Sequence, residues 1–280
     1  DFQAFHHDLY RAVGQAGRWW VMEQQPGPGN WAPHNPAPLP GMVRFWTWEA
    51  FAHGAECVSY FRWRQAPFAQ EQYHAGLLRP DSAPAEAFAE VSQVAREIEA
   101  IGPDVAAGGQ APVALVCDFP SAWAWSVQPQ GQGCDYFRLV FEVYRGLRKL
   151  GLSIDILSSR AAHFEGYGLV VLPGLVTLPE GLRSALGPEG PLALVGPRAH
   201  AKTAEMTIPE GLPPNLPGLD LRVSRVETLR PDMPVPLEKT GAIKLWREHL
   251  EGSAEVLDRA AAGRGAGLAC AAGADRRSVG

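Results

Sequence analysis

Apolar positions recur at Phe5, Leu9 and Val13, a helical spacing, and the run Trp19-Trp20-Val21-Met22 that follows predicts a short buried strand. The Pro-, Gly- and Asn-rich stretch from Gln24 to Pro40 is a long loop. Met42 to His53 reads as a helix stopped by Gly54, and Val58 to Phe61 as a second strand. Another long loop runs from Arg64 to Pro84. A helix then spans Ala85 to Ile101, with apolar residues at Phe88, Val91, Val94, Ala95, Ile98 and Ile101, and Gly102-Pro103 ends it. Short buried strands alternating with helices predict parallel β/α units, and both long loops follow the carboxyl end of a strand. That is where (β/α)8 barrels keep their chemistry, yet a barrel needs eight strands and about 250 residues. Two strands predict the last quarter of a barrel.

After a Gly/Ala/Pro linker at 106–112 the pattern changes. Strands are expected at Val113–Val116, Ser153–Leu157, Tyr167–Leu172 and Leu192–Val195, and helices at Asp135–Leu150 and Pro179–Leu186. This is the signature of a small doubly wound α/β domain. From about residue 239 the pattern weakens. Between Ala260 and Ala274, 12 of 15 residues are Ala or Gly, without the alternation or β-branched residues of a β domain. The expected domains are 1–105, 111–234 and a remnant at 235–280, whose composition fits a slipped reading frame.

Composition narrows the function. The 280 residues are 46% hydrophobic and 20% charged with a net charge of -5, which excludes wholesale disorder and offers no basic patch for a nucleic-acid or anionic-membrane partner. No apolar run approaches the 18 or so residues of a membrane span. Residue 1 is Asp and no signal segment precedes it, so the natural N-terminus is expected to lie outside this sequence. The four cysteines (Cys57, Cys117, Cys134, Cys270) show no C-x-x-C spacing, which predicts reduced thiols of a cytoplasmic protein.

Six of the nine tryptophans fall within residues 1–102, around the candidate chemistry. Glu23 follows the first strand among Gln24, Gln25, Asn30 and Trp31. It suits a glycosidase nucleophile, and equally an ordinary loop Glu capping a strand end. Phe61-Arg62-Trp63-Arg64 and Glu71-x-x-His74 form a second group. Glu and His three apart can project together, as sugar-hydroxyl partners or as a solvated surface pair. The E-x-x-H could also be half of a metal site, but no second copy supplies the other half, so no metal is expected. Trp31 and Trp63 offer flat faces for a pyranose; Trp46 and Trp48, on a helix, are read as core. A working amidotransferase in the second domain would need a Cys on a strand-to-helix turn, and the turn after Ala193-Leu194-Val195 is Gly196-Pro197-Arg198.

The blocks Trp20-Val21-Met22-Glu23-Gln24-Gln25-Pro26-Gly27, Asn30-Trp31, Phe61-Arg62-Trp63-Arg64 and Glu71-x-x-His74-Ala75-Gly76 closely resemble glycoside hydrolase family 42 β-galactosidases; His7-Asp8-Leu9-Tyr10-Arg11 also fits. The resemblance covers residues 1 to about 234, and Leu245 to Leu257 more loosely. It implies an α/β fold: the C-terminal portion of a (β/α)8 TIM barrel, then a doubly wound, amidotransferase-like α/β domain used for trimerisation. It implies a retaining enzyme acting on terminal β-galactosides, without a cofactor, as a homotrimer. Glu23 matches the nucleophile, at the end of the seventh barrel strand; Trp31, Phe61, Glu71 and His74 match the galactose subsite. The family's acid/base is a Glu preceded by Asn, and no Asn-Glu dipeptide occurs in these 280 residues. The structural zinc cluster of some members would likewise lie in the absent part. The alternative is an inactive sugar-binding or oligomerisation relic of such an enzyme.

Overall fold

The computed structural model describes residues 1–102, 109–161, 163–239, 241–261 and, as backbone, 266–270. It divides into two compact units, residues 1–109 and 110–280. The linker expected at 106–112 lies partly outside the described residues.

The first unit holds α1 (Phe2–Val13), β1 (Trp20–Gln24), α2 (Met42–Ala52), β2 (Cys57–Tyr60) and α3 (Glu86–Ile101). β1 and β2 pair in parallel, Trp20 with Cys57 and Val21 with Val58. Trp19, Ala50 and Ala55 form one buried cluster beneath this pair; Val43, Leu77 and Ala87 form another, on which Trp46 packs. The first turn of α2 has no capping side chain of its own. Glu90 of α3 accepts hydrogen bonds from the backbone N–H groups of Gly41 (2.8 Å) and Arg44 (2.9 Å), a negative charge where the helix dipole favours one. Arg44 and Trp48 both donate to Glu97, so Trp48 is tied to α3 through its indole N–H. Gly102, at φ 78° and ψ -157°, ends α3 in a conformation that residues with a Cβ rarely adopt.

A polar knot joins α1 to the end of α2. His53 Nδ1 lies 2.7 Å from the buried Asp8 carboxylate, and Arg11 reaches both Asp8 (3.1 Å) and the His53 carbonyl (3.0 Å). Beside it His7 is buried against Trp19, ring centroids 4.9 Å apart, with neither ring nitrogen hydrogen-bonded.

The second unit begins with β3 (Val113–Cys117), α4 (Phe119–Val127), α5 (Tyr136–Lys149), β4 (Ile154–Ser158), β5 (Leu169–Leu172), α6 (Glu180–Ala185) and β6 (Ala193–Val195). The four strands form one parallel sheet in the order β4-β3-β5-β6. β3 is buried from Val113 to Val116, as a strand covered on both faces must be. α5 has Asp135 as N-cap, accepting from the Arg138 N–H (2.7 Å), and buries Tyr136, Val140, Tyr144 and Leu147. The sequence pattern missed α4, which carries Trp123 and Trp125. Asp118 caps it by accepting from the Ser121 N–H (2.8 Å).

The chain continues through β7 (Leu221–Thr228), the short pair β8 (Val235–Pro236) and β9 (Ala242–Ile243), β10 (Trp246–Gly252), β11 (Glu255–Arg259) and β12 (Ala266–Cys270). β7 pairs antiparallel with β10, so pairing crosses the division expected at residue 234. The sheet order β11-β12-β10-β7 sets β12, within the Ala/Gly run, between two partners. Backbone hydrogen bonds to neighbours on both sides hold a strand whose side chains carry no strand signal. Residues 271–280 lie outside the described residues.

Arg198 ties this unit together. It follows β6 with φ 62°, is 5% exposed, and its guanidinium stands 4.4 Å from the Trp125 ring centre and 5.4 Å from that of Trp246. It donates to the Gln128 carbonyl (2.9 Å), and its backbone N–H donates to the Glu248 carboxylate (2.7 Å). Burial pushes the Glu248 carboxyl up and the Arg198 guanidinium down from their ordinary values.

Burial lowers His7 from 6.5 to about 4; the neighbouring His53 and His6 add to this and Asp8 opposes it. The unfolded chain therefore takes up this proton first. Stability is full above pH 6.5, falls as the pH drops towards 4, and the loss, at most about 3 kcal/mol, is complete below that. Urea unfolding at pH 7.5 and 4.5 should show His7→Phe losing measurably less stability than the parent chain. Equal losses would mean that His7 is not the buried neutral group.

Candidate active site

Parallel pairing places the carboxyl ends of β1 and β2 at one edge, and both long loops leave from there. The Phe61 N–H donates to the Gln24 carbonyl (3.0 Å), carrying the pairing to the start of the second loop. The Ala75 N–H donates to the Pro28 carbonyl (2.9 Å), lacing the loops together. Two glycines permit this closeness. A Cβ on Gly27 would stand 2.6 Å from that of Ala75, and one on Gly76 only 2.6 Å from the Gln65 nitrogen and 2.7 Å from the Arg64 carbonyl carbon.

Glu23 lies inside β1, not after it as the sequence suggested, with its side chain exposed beside the buried Gln24. Phe61 is the first residue past β2, whose expected end was Phe61 itself. His74 is 2% exposed, and its ring packs against Phe61 with centroids 4.5 Å apart. Its Nε2 is hydrogen-bonded to Gln25 Oε1, a partner that residue spacing could not reveal. Because the amide oxygen only accepts, Nε2 carries the proton and Nδ1 is bare. Burial lowers the His74 pKa; Glu71 and Glu23 act to raise it and Arg62 to lower it further. Both carboxylates therefore lie within electrostatic reach of a neutral imidazole.

Glu71 and His74 do share one turn, the His74 N–H donating to the Glu71 carbonyl (3.0 Å). They face different surroundings: His74 is sunk beneath the loop and Glu71 is exposed, at φ 58°. Arg62 holds that turn by donating to the Glu71 carbonyl (2.6 Å), with its side chain 4.0 Å from the Glu71 carboxylate and its guanidinium 5.1 Å from the centre of the Phe61 ring. Trp31 stands on the first loop, 73% exposed, apart from this packed group. Trp63 is also exposed and leans edge-on against Phe88 of α3.

Three buried polar atoms of these loops have no hydrogen-bond partner: Asn30 Oδ1, Arg62 Nε and His74 Nδ1. Buried polar atoms are seldom left so, and such a group marks capacity for an absent partner. Carboxylates, an imidazole acceptor, a guanidinium and aromatic faces together suit a neutral polyhydroxylated ligand.

In the second unit Cys117 and Cys134 are poor nucleophiles. Burial pushes the Cys117 thiol up to about 11 and raises that of Cys134. The turn after β6 presents the buried Arg198 in place of a nucleophile. Among the described residues no group of three His, Cys, Asp or Glu is placed to hold a metal ion, and no helix is long and apolar enough to cross a membrane.

Comparison with known proteins matches residues 1–101 to a family model described as β-galactosidase and residues 111–270 to one described as β-galactosidase trimerisation domain. A β-galactosidase of Thermus thermophilus is 53% identical over 275 residues, which are 95% of this chain and 41% of that protein. β-Galactosidase BgaA of a Thermus species is 54% identical over 258 residues, 90% of this chain and 39% of that protein. Among solved structures, the β-galactosidase of the psychrophilic Marinomonas ef1 superposes with a TM-score of 0.86 at 44% identity, over 94% of this chain and 42% of that one. The polyextremophilic enzyme of Halorubrum lacusprofundi gives 0.83 at 34% identity, over 95% and 41%. The chain spans about two-fifths of the length of the curated relatives it matches.

Gly76→Ala tests the lacing of the loops. The added carbon meets backbone on two sides, so the chain is expected to lose about 1–3 kcal/mol of stability. Unchanged urea midpoints would show that the loops are not packed this closely.

Proposed function

The chain belongs to the glycoside hydrolase family 42 β-galactosidases, and on that premise we propose that it carries the nucleophilic half of a retaining β-galactosidase. The observation that carries the reading is the position of Glu23: exposed at the carboxyl end of a parallel strand, within electrostatic reach of His74, beside loops holding three unpartnered buried polar atoms. In the whole protein β1 and β2 are strands of a (β/α)8 barrel. Glu23 attacks the anomeric carbon of a terminal β-galactoside as the bond to the leaving oxygen breaks and a second carboxyl group delivers a proton to that oxygen. The resulting galactosyl ester is opened by water, which gives its proton back to the second carboxylate, with net retention. By resemblance to the family, that second group is a Glu following an Asn, a pair these 280 residues do not contain.

Glu71 accepts hydrogen bonds from galactose hydroxyls and His74 holds another, while Trp31 and Phe61 border the apolar face of the ring. Arg62 fixes the Glu71 turn from below. The reaction is carried by carboxyl groups and uses no cofactor. Residues 111–270 assemble the protein as a homotrimer in the cytoplasm, and the thiols have no part in the chemistry.

In a protein with the complete barrel, Glu23→Gln should lower kcat for an aryl β-galactoside by roughly a thousandfold or more. Near-normal turnover would refute the assignment. The 280-residue chain alone should hydrolyse no lactose, since it has a nucleophile and no acid. Measurable cleavage by purified chain, free of host enzyme, would overturn the division of labour proposed here.

A further inference from the structure

α4 has its apolarity on both sides. The inner face is fixed: Trp125 Nε1 donates to the Gly174 carbonyl (3.0 Å), and Ser121 Oγ accepts from the Val176 N–H (3.0 Å). The outer face carries Phe119, Trp123 and Val127, four residues apart and 50%, 65% and 79% exposed. The nine-residue helix contains no charged residue. Phe119 contacts Trp123 (ring centroids 6.4 Å apart) and meets Phe137 of α5 edge-on at 5.7 Å. These rings border a depression of about 360 Å³.

We propose that this aromatic face of α4 and the adjoining start of α5 is where a second copy of the chain docks in the trimer. The inference rests on the trimeric reading above and adds the surface to it. α4 lies inside the segment matched to a trimerisation domain. An exposed Trp between two other apolar side chains, on a helix anchored to the sheet, is the anchor that protein interfaces concentrate their binding energy on. A small polar ligand suits the depression poorly. Ser126 on its wall already donates to the Trp123 carbonyl (2.8 Å), and Asp135 already accepts from the Arg138 N–H (2.7 Å). Desolvating this face therefore strips few polar groups, and shape rather than hydrogen bonding selects what fits. A cyclic trimer uses a head-to-tail contact, so each copy offers the face once and receives a different surface of its neighbour.

Sedimentation equilibrium of the chain decides it. The parent should be trimeric. Trp123→Glu should be monomeric at the same concentration, with dissociation favoured about thirtyfold or more. Ile208→Glu, at an exposed apolar residue elsewhere in the unit, should stay trimeric. Val127→Glu alters only the exposed helix end; it should also dissociate the trimer, and it decides the matter if circular dichroism shows Trp123→Glu misfolded. A trimeric parent whose two α4 variants remain trimeric would overturn the surface assignment alone. A monomeric parent would overturn the trimeric reading and the surface with it.

Discussion

The parallel register of β1 and β2 is the constraint on which the candidate site depends. Pairing Trp20 with Cys57 and Val21 with Val58 brings both strand ends to the same edge. Loops of more than ten residues then begin side by side, and the Ala75–Pro28 hydrogen bond can form only from that start. Everything at the site inherits this placement. Glu23 is presented by the first strand, His74 is delivered beneath the loops by the second, and Gln25 joins the two through the imidazole. A slip of one residue along β1 would turn Glu23 to the opposite face, where Gln24 is now buried.

A different interaction governs the second unit. Where a working amidotransferase would raise a nucleophile on a strand-to-helix turn, the turn after β6, an edge strand of this sheet, carries Arg198, with two tryptophans closed over it. A buried guanidinium needs its hydrogen bonds met, and the Gln128 and Pro129 carbonyls meet them. Glu248, half-buried, turns to the Arg198 backbone and the Trp246 indole. The turn is thereby committed to joining a parallel sheet to an antiparallel one.

Much of the fold was legible in the sequence because the pattern there is driven by one-sided burial. α3 and α5 have clean apolar faces and proper ends, and β3 is a continuous apolar run. α4 escaped because both its faces are apolar, so no period stands out. β7 and β10 escaped because they are rich in charged residues: Arg222 and Glu251, and Glu227 and Arg247, meet across the strands, and only the pairing explains them. At the candidate site, Glu23, Glu71 and His74 could be singled out from residue type and position, and Phe61 by resemblance to the family. Their unequal exposure was not legible, since it depends on which side of a laced pair of loops each falls. Gln25 and the Asp8–His53 pair join residues 45 or more apart, which local spacing cannot reveal.

The two-stranded sheet of the first unit leaves each strand with one flank whose backbone donors and acceptors have no sheet neighbour among the described residues. Such flanks are templates for further strands. The unit is thus built like one leaf of a hinge-bound book: its own pairing is finished, and further strands can be added along two edges without rearranging what is there. A strand brought to either flank, from the same chain or another, would extend the sheet by backbone hydrogen bonds alone.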